Sequence, residues 1–424
     1  MTWIIVAAFF VLLVLGVPIP FVLGLTTLLF FVLDGFLPVA LIPQRLFTST
    51  DSFPMMAIPL FMLVGALMNA GGISHRLIRF SRALVGHITG GLAHVNILAS
   101  VFFAGISGSS AADASALGSI LIPAMVRSGY TAAFSAAVTA GSSLIGPIIP
   151  PSIPMILYGV IAGTSISALF VAGIIPGLLM ALTQMIVSWW ICKRDGIGGE
   201  TPASRRELVD SFRDASWGLL MPVLILGGIL GGVFTPTEAA AVGVLAAFII
   251  GKYIYREFTW RDVPEALVSA AISTGVVMLV IGFSQGLAFV LASKQVPQQV
   301  AAAMLALTDQ GWLLILILIA ILLLVGTFLE PAAALIILTP VLLPLARQLG
   351  LDIIQFGVLL VLGLVIGLVT PPVGTCLFIV ASISRLRLET VARALVPFIA
   401  ACVVVLLIVA YVPAVTLWLP GLFR

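Results

Sequence analysis

Apolar residues run along this chain in blocks long enough to cross a bilayer, with polar residues confined to short gaps between the blocks. Segments 219–235, 312–329 and 395–418 contain no charged residue, and a spanning helix needs roughly 20 predominantly apolar residues. The uncharged run 1–33 has no basic flank before it and is too long for the apolar core of a cleaved signal, so it is expected to stay in the membrane. Pro18 and Pro20 either kink one helix in this run or separate two. Three spans are predicted before Arg76.

The basic residues give the spans a direction. Of the 19 Lys and Arg, 15 lie in 76–82, at Arg127, and in 193–213, 252–261 and 385–393, while Arg45, Lys294, Arg347 and Arg424 stand apart. Placing the first set inside and the second outside satisfies the positive-inside rule. An even number of passes must then separate successive inside segments. This holds only if 88–127 and 311–347 each enter and leave on one side, which predicts two re-entrant hairpins.

Composition narrows the class further. With 62% hydrophobic and 8% charged residues, the chain is an all-α polytopic membrane protein, with about 10–12 transmembrane helices besides the hairpins. A net charge of +3, spread between apolar spans, describes membrane orientation and not a nucleic-acid partner. Cys192, Cys376 and Cys402 lie in or beside apolar segments without CxxC spacing, so they read as small buried residues, not a disulfide framework or metal site.

Shifting the sequence by 221 residues superposes Gly105 on Gly326, Pro123 on Pro344, Gly129 on Gly350, Gly146 on Gly367, and Pro150-Pro151 on Pro371-Pro372. Chance would give about one such match in a window of this size. The chain thus divides into repeats 1–203 and 204–424. Each has a hairpin (88–127 and 311–347) followed by a helix broken in its middle (131–166 and 353–384). Each repeat also makes an odd number of full passes, so the second is predicted to lie upside down relative to the first, an arrangement that suits alternating access. The segment 196–216, with Gly, Pro, Ser and charges, links them. Ahead of the first hairpin, 74–87 puts His75, Arg76, Arg79 and Arg82 on one face and Leu77, Ile78, Leu84 and Val85 on another, which fits an interfacial helix. Such a helix is either an arm framing a moving domain or an ordinary amphipathic connection.

The breakers carry the candidate chemistry. Within the first hairpin, the run from Gly105 to Asp113 is rich in small hydroxyl residues. Ser107, Ser109 and Ser110 there can offer oxygens to a cation, while the following half-helix offers N–H groups to an anion. Small residues also pack helix interfaces. Four prolines with Gly141 and Gly146 prevent 141–154 from being one helix, and 363–375 breaks at the corresponding place, presenting Thr370 and Thr375. Backbone exposed at this depth requires protein or a water-filled cavity around it. Three acids fall within membrane segments. Glu238, in Thr235-Pro236-Thr237-Glu238, reads as the acid of a helix-capping box. Asp113 and Glu330 flank the hairpin tips, where both a cation ligand and a helix cap fit them. Arg127 and Arg347 read as headgroup anchors at the hairpin bases, and His94 as a packed histidine. No Arg or Lys falls at the expected midplane, so a substrate carboxylate is expected to be held by hydroxyls, helix N-termini and bound cations.

At these residues the chain resembles, over essentially its full length, the large membrane subunit of the tripartite ATP-independent periplasmic (TRAP) transporters. The motif segments are 105–125, 141–154, 234–239, 330–344 and 369–375. The resemblance implies an ion-transporter-type fold with a scaffold and an elevator-type transport domain. It implies uptake of a carboxylate such as a C4-dicarboxylate, sialic acid or sugar acid, coupled to two or more Na⁺, with no organic cofactor. A separate small four-helix membrane subunit and a soluble periplasmic binding protein would be partners, in a bacterial inner membrane with the N-terminus periplasmic. By position, one Na⁺ site would join Ser107, Ser109, Ser110 and Asp113 to Gly141, Ser142, Ser143 and Gly146. A second would join Gly326 and Glu330 to Gly367, Thr370 and Gly374. Ser109, Ser152 and Thr375 would face substrate. The residues alone also permit a related carrier that works without a binding protein. A membrane enzyme should show paired acids with His or a metal-ligand motif, whereas Asp113 and Glu330 fall in opposite repeats with no His beside them.

Overall fold

The computed structural model describes residues 7–9, 11–12, 15–34, 38–308 and 310–423. Their regular structure is helical throughout. In the first half, α1 (Ile19–Asp34), α2 (Leu41–Thr50), α3 (Ala57–Ala70) and α4 (Ile73–Val85) lead into a hairpin of α5 (Gly91–Ser107) and α6 (Ser110–Arg127). There follow α7 (Ala132–Ser143) and α8 (Ile153–Ala162), interrupted by a proline-rich loop, and the long α9 (Ile166–Arg194). The second half has α10 (Arg205–Leu230), α11 (Pro236–Ile249), α12 (Asp262–Ser293) and α13 (Val296–Leu307) before its hairpin, α14 (Gly311–Phe328) and α15 (Pro331–Gln348). Its interrupted pair is α16 (Ile353–Gly367) and α17 (Thr375–Ser384), followed by α18 (Leu388–Tyr411) and α19 (Ala414–Gly421).

The order hairpin, interrupted helix, long helix thus occurs twice, and both interruptions contain a cis Pro-Pro bond, at Pro150-Pro151 and Pro371-Pro372. Helix starts follow sequence chemistry. Ser109, Thr131, Ser152, Ser165, Ser204 and Asp352 are extended N-cap residues whose side chains accept from the first turn. Thr235 and Glu238 complete a capping box at the start of α11.

Among the described residues, eight helices are long and apolar enough to cross a membrane: α3 with its preceding 3₁₀ turn Phe53–Met56, α9, α10, α11 with the π turn that follows it, α12, α14, α15 and α18. On α12, Val268, Ile272, Val276 and Leu279 are all exposed, an apolar stripe at helical spacing that only a bilayer or another apolar surface can accommodate. The chain is a polytopic membrane protein. The three spans expected before Arg76 begin in a stretch that lies partly outside the described residues, and α2 is not one of them. Ten residues rise only about 15 Å, and α2 carries Gln44, Arg45, Thr48, Ser49 and Thr50 with no buried residue, so it cannot span. The side on which Met1 lies, and the outward placement of Arg424, fall outside the described residues.

Packing sorts the helices into two groups. In one, α12 runs against α1, α2 and α3, while α11 packs on α3 and α10 on α4. Close approach of α1 and α12 relies on small residues, with Gly24 under the Phe283 ring and Gly286 against Thr27. In the other group α6, α5 and α18 surround α7, α14 packs on α16, and α9 packs on α18 and α19. Each hairpin also leans on the interrupted helix of the opposite half, α6 on α17 and α15 on α8. The groups meet where α12 and α13 pass along α15, and where α3 and α4 pass along α5. Helix α4 is tied down at one end of this seam. Its Arg76, Arg79 and Arg82 pair with Glu257, Asp214 and Glu200, so the basic face expected at the interface is matched to acids from three other segments.

Candidate cation and substrate site

The first hairpin turns at Gly108, which has φ of +59°. A Cβ there would lie 2.6 Å from the Pro151 carbonyl oxygen, so the tip can rest on the proline-rich loop only because this residue is glycine. On either side stand Ser107, the last residue of α5, and Ser109, whose hydroxyl accepts from Ala112 N at 3.5 Å. One turn into α6, Asp113 is fully buried. Its Oδ1 accepts a hydrogen bond from the Ser107 hydroxyl, but Oδ2 has no partner, and neither has the buried Ser110 hydroxyl. A Cβ on Gly146, in the loop after α7, would come within 2.5 Å of that free Oδ2. Burying a carboxylate with an unmatched oxygen is costly unless a positive partner completes it. Clustered hydroxyl and carboxylate oxygens around a glycine-lined gap suit a hard cation.

Other residues expected at this site divide by where their side chains go. The Ser142 hydroxyl donates to Asn96 Oδ1 at 3.2 Å and accepts from Ser100 at 2.9 Å, and Asn96 in turn donates to Thr139 at 2.7 Å. This buried chain joins α7 to α5 and takes up the Ser142 hydroxyl. The Ser143 hydroxyl donates to the Ala140 carbonyl at 2.8 Å. The Gly141 carbonyl accepts from Gln184 Nε2 at 3.0 Å. Ser107, Asp113 and Gly146 therefore come together directly, Ser110 stands three residues ahead of Asp113 on α6 and lines the central cavity, and Gly141 and Ser142 are occupied in holding the end of α7. Cys376, at the start of α17, comes up to the Ser143 hydroxyl from the other half of the chain.

In the second half, Gly326 and Gly367 touch backbone to backbone, leaving no room for a Cβ on Gly367. Beyond them the loop turns back at Gly374, which has φ of +58° and sits over the Leu368 and Thr370 carbonyls. The Thr370 hydroxyl donates to the Ile366 carbonyl at 2.9 Å. Glu330 begins α15 as its N-cap, with Oε2 accepting from Ala332 N at 2.9 Å. Its position corresponds to Ser109 in the 221-residue repeat, and both are extended N-caps at hairpin tips.

These parts surround one central cavity of about 120 Å³. Ser109 and Thr375 line it, as do Glu330 and Cys376, with Met62 of α3 and Val277 of α12 closing the far wall. Ser152 does not line it. Its buried hydroxyl donates to the Pro147 carbonyl and accepts from Met155 N, capping α8. The first turns of α6, α8, α15 and α17 all open onto the cavity, through Ser110, Ile153, Pro331 and Thr375. Four helix N-termini present a strongly anion-attracting surface, which the Glu330 carboxylate offsets at one of them.

Two larger cavities lie on the seam between the helix groups. One, of about 280 Å³, is walled by Asn69, Ser115, Ser269 and Ser273 and shares Met62, Ser109 and Ile153 with the central cavity. The other, of about 490 Å³, lies farther along α12 around Gln285 and Phe289 and shares no lining residue with it. Sequence reasoning missed Cys376, Gln184, Met62 and Val277. None belongs to a breaker motif, and each reaches the site only through packing between segments far apart in the chain.

Residues 6–415 match the family model described as the tripartite ATP-independent periplasmic transporter, DctM component. The chain is 42% identical over 408 residues to the sialic acid TRAP transporter large permease protein SiaM of Vibrio cholerae, covering 96% of each chain. It is 41% identical over 398 residues to the C4-dicarboxylate TRAP transporter large permease protein DctM of Pseudomonas aeruginosa, covering 94% of this chain and 92% of that one. Against the isethionate TRAP transporter permease protein DctMQ of Oleidesulfovibrio alaskensis it is 41% identical over 96% of its own length, but it spans only 65% of that longer protein. Among solved structures, the Alcanivorax borkumensis YdaH transporter superposes with a TM-score of 0.61 at 16% identity, covering 89% of this chain and 90% of that one, a likeness of fold.

Proposed function

The chain belongs to the DctM family of large permease subunits of tripartite ATP-independent periplasmic transporters, and from that premise we propose that it carries out Na⁺-coupled uptake of an organic anion by an elevator-type movement. It is a transport permease, not an enzyme. The cargo class proposed is a carboxylate such as a C4-dicarboxylate, sialic acid or sugar acid. The observation that carries this reading is the convergence of four helix N-termini on one cavity, beside a buried acid with an unmatched oxygen. The helix ends hold the anion, and the Asp113 cluster holds a cation next to it. Filling one site favours the other through direct attraction.

Ser107, Ser110, Asp113 and Gly146 form the first Na⁺ site, with Ser109 shared between cation and substrate. Loop carbonyls between Gly367 and Gly374 form the second, beside Gly326, Thr370 and Glu330. Thr375 faces substrate with Ser109. The helices α5–α9 and α14–α19 are the moving body, with α5–α6 and α14–α15 as re-entrant hairpins in two inverted repeats, which raises the spans beyond the eight long helices to about 10–12. The central cavity shares its lining with the cavity on the Arg76 side, which the basic residues mark as cytoplasmic, so this conformation faces inward. A separate small membrane subunit and a periplasmic binding protein complete the system in a bacterial inner membrane. The name DctMQ suggests a fusion of this kind of chain with the small subunit.

Two or more Na⁺ per monoanion make uptake electrogenic, with about 2.3 kcal/mol per net charge per 100 mV as driving force. Proteoliposomes holding the permease and small subunit, supplied with loaded binding protein, test this. Uptake should require an inward Na⁺ gradient and accelerate when the interior is made negative. Uptake indifferent to both would refute the coupling.

A further inference from the structure

The outer of the two seam cavities has walls of opposite character. Its scaffold side is polar and cationic, with Arg45, Ser49 and Ser52 from α2 and the turn after it and Gln285 from α12. Its other side is apolar, including Ile336 and Pro340 of α15. Among the described residues, Arg45 is the only charged one lining this cavity, and Asp51, the nearest acid in sequence, does not line it. The Arg45 guanidinium lies 4.4 Å from the centre of the Phe289 ring on the cavity wall, so it is held against the protein and not released toward lipid. The Ser52 hydroxyl is buried without a hydrogen-bond partner. The Ser49 hydroxyl is spent on the Leu46 carbonyl, which leaves the Ser52 hydroxyl and the Arg45 guanidinium as the donors of this wall that face apolar side chains.

The inner cavity differs in one respect that matters for an anion. The polar residues that line it among the described ones, including Asn69, Ser269 and Ser273, are all uncharged. Along α12 the three cavities follow in order, through Ser273, Val277 and Gln285. Eight residues from Val277 to Gln285 correspond to about 12 Å of helix. Sliding the hairpin body by that distance would carry the central cavity from Met62 and Val277 to the level of Arg45 and Gln285.

We propose that Arg45, with Gln285, is a one-state anion clamp. It pairs with the substrate carboxylate while the central cavity faces outward and is left behind when the cavity moves inward. This rests on the uptake reading above. A contact made in one state alone gives the two states different affinities, here favouring capture outside and release inside. A guanidinium suits the role because it brings a positive charge with N–H donors to the substrate carboxylate.

The test uses the complete reconstituted transporter with an R45C permease, whose three native cysteines are all buried. Substitution should lower uptake at least fivefold. A membrane-impermeant, positively charged thiosulfonate added outside should restore it to within twofold of the parent, and a negatively charged one should not. Arg45→Lys should keep most of the rate. Equal effects of both reagents, or R45C uptake within twofold of the parent, would overturn the proposal. So would a higher half-saturating concentration of loaded binding protein with an unchanged maximal rate, since that marks a protein-docking contact. Loss of Na⁺ dependence in the parent itself would sink the uptake reading instead, so the two failures are distinguishable.

Discussion

The Ser107 hydroxyl donates to Oδ1 of Asp113 across the tip of the first hairpin, so that one oxygen of a fully buried carboxylate is satisfied and the other is turned toward Gly146. Replacing Asp113 with Asn keeps the shape but removes the charge. Interactions with charged groups contribute about 1.5–3 kcal/mol, so the Na⁺ concentration for half-maximal uptake should rise by roughly 10- to 100-fold. Uptake measured against Na⁺ checks this, and an unchanged Na⁺ curve would remove Asp113 from the site.

Gly146→Ala places a methyl 2.5 Å from the free Asp113 oxygen. Overpacking of this kind costs about 1–3 kcal/mol, and it also fills the space proposed for the cation. The variant should remain purifiable with a lowered melting temperature and lose Na⁺-stimulated uptake. Thermal unfolding with and without Na⁺ is the direct readout, and stabilisation by Na⁺ should disappear.

Ser110 and Ser142 separate ion binding from scaffolding. The Ser110 hydroxyl has no partner, so Ser110→Ala should leave thermal stability nearly unchanged while raising the Na⁺ requirement. The Ser142 hydroxyl closes the chain to Asn96 and Ser100, so Ser142→Ala should cost about 1–3 kcal/mol with the Na⁺ requirement little altered. The opposite pattern would exchange the two roles.

That contrast shows what the sequence could and could not disclose. A shift of 221 residues matches the tip residues Ser109 and Glu330 and both interruptions, because glycine and proline act on the backbone locally and leave their mark in order along the chain. It could not tell Ser142 from Ser143 or Ser110, since hydroxyl residues look alike until the helix phase and the facing residue are known. Ser152 was expected at the substrate from the family resemblance, yet its hydroxyl caps α8. Cys376 approaches Ser143 across more than two hundred residues of chain, a pairing set wholly by tertiary packing.

Gly367→Ala should be more damaging than Gly146→Ala. Its methyl would strike the Gly326 backbone, which cannot rotate aside as a side chain can. The expected outcome is failure to yield a monodisperse protein in detergent, read by size-exclusion chromatography.

Arg82 and Glu200 tie α4 to the segment linking the two halves. The hydrogen bonds that Arg82 donates to the Glu200 carboxylate raise its pKa above its already high ordinary value, so the pair responds to salt and not to alkaline pH. Both groups are partly exposed, and a double-mutant cycle should give a coupling of only about 0.2–1 kcal/mol, falling as ionic strength rises.

The mutual leaning of each hairpin on the other half's interrupted helix has a consequence for biogenesis. When the first half has left the ribosome, α6 has no α17 beside it and α8 has no α15, so the Asp113 neighbourhood is without Cys376 and one wall of the central cavity is missing. The ion-binding centre is completed only after the last third of the chain has been inserted. A polypeptide cut in the linker should therefore regain activity only when both fragments are made together in the same membrane.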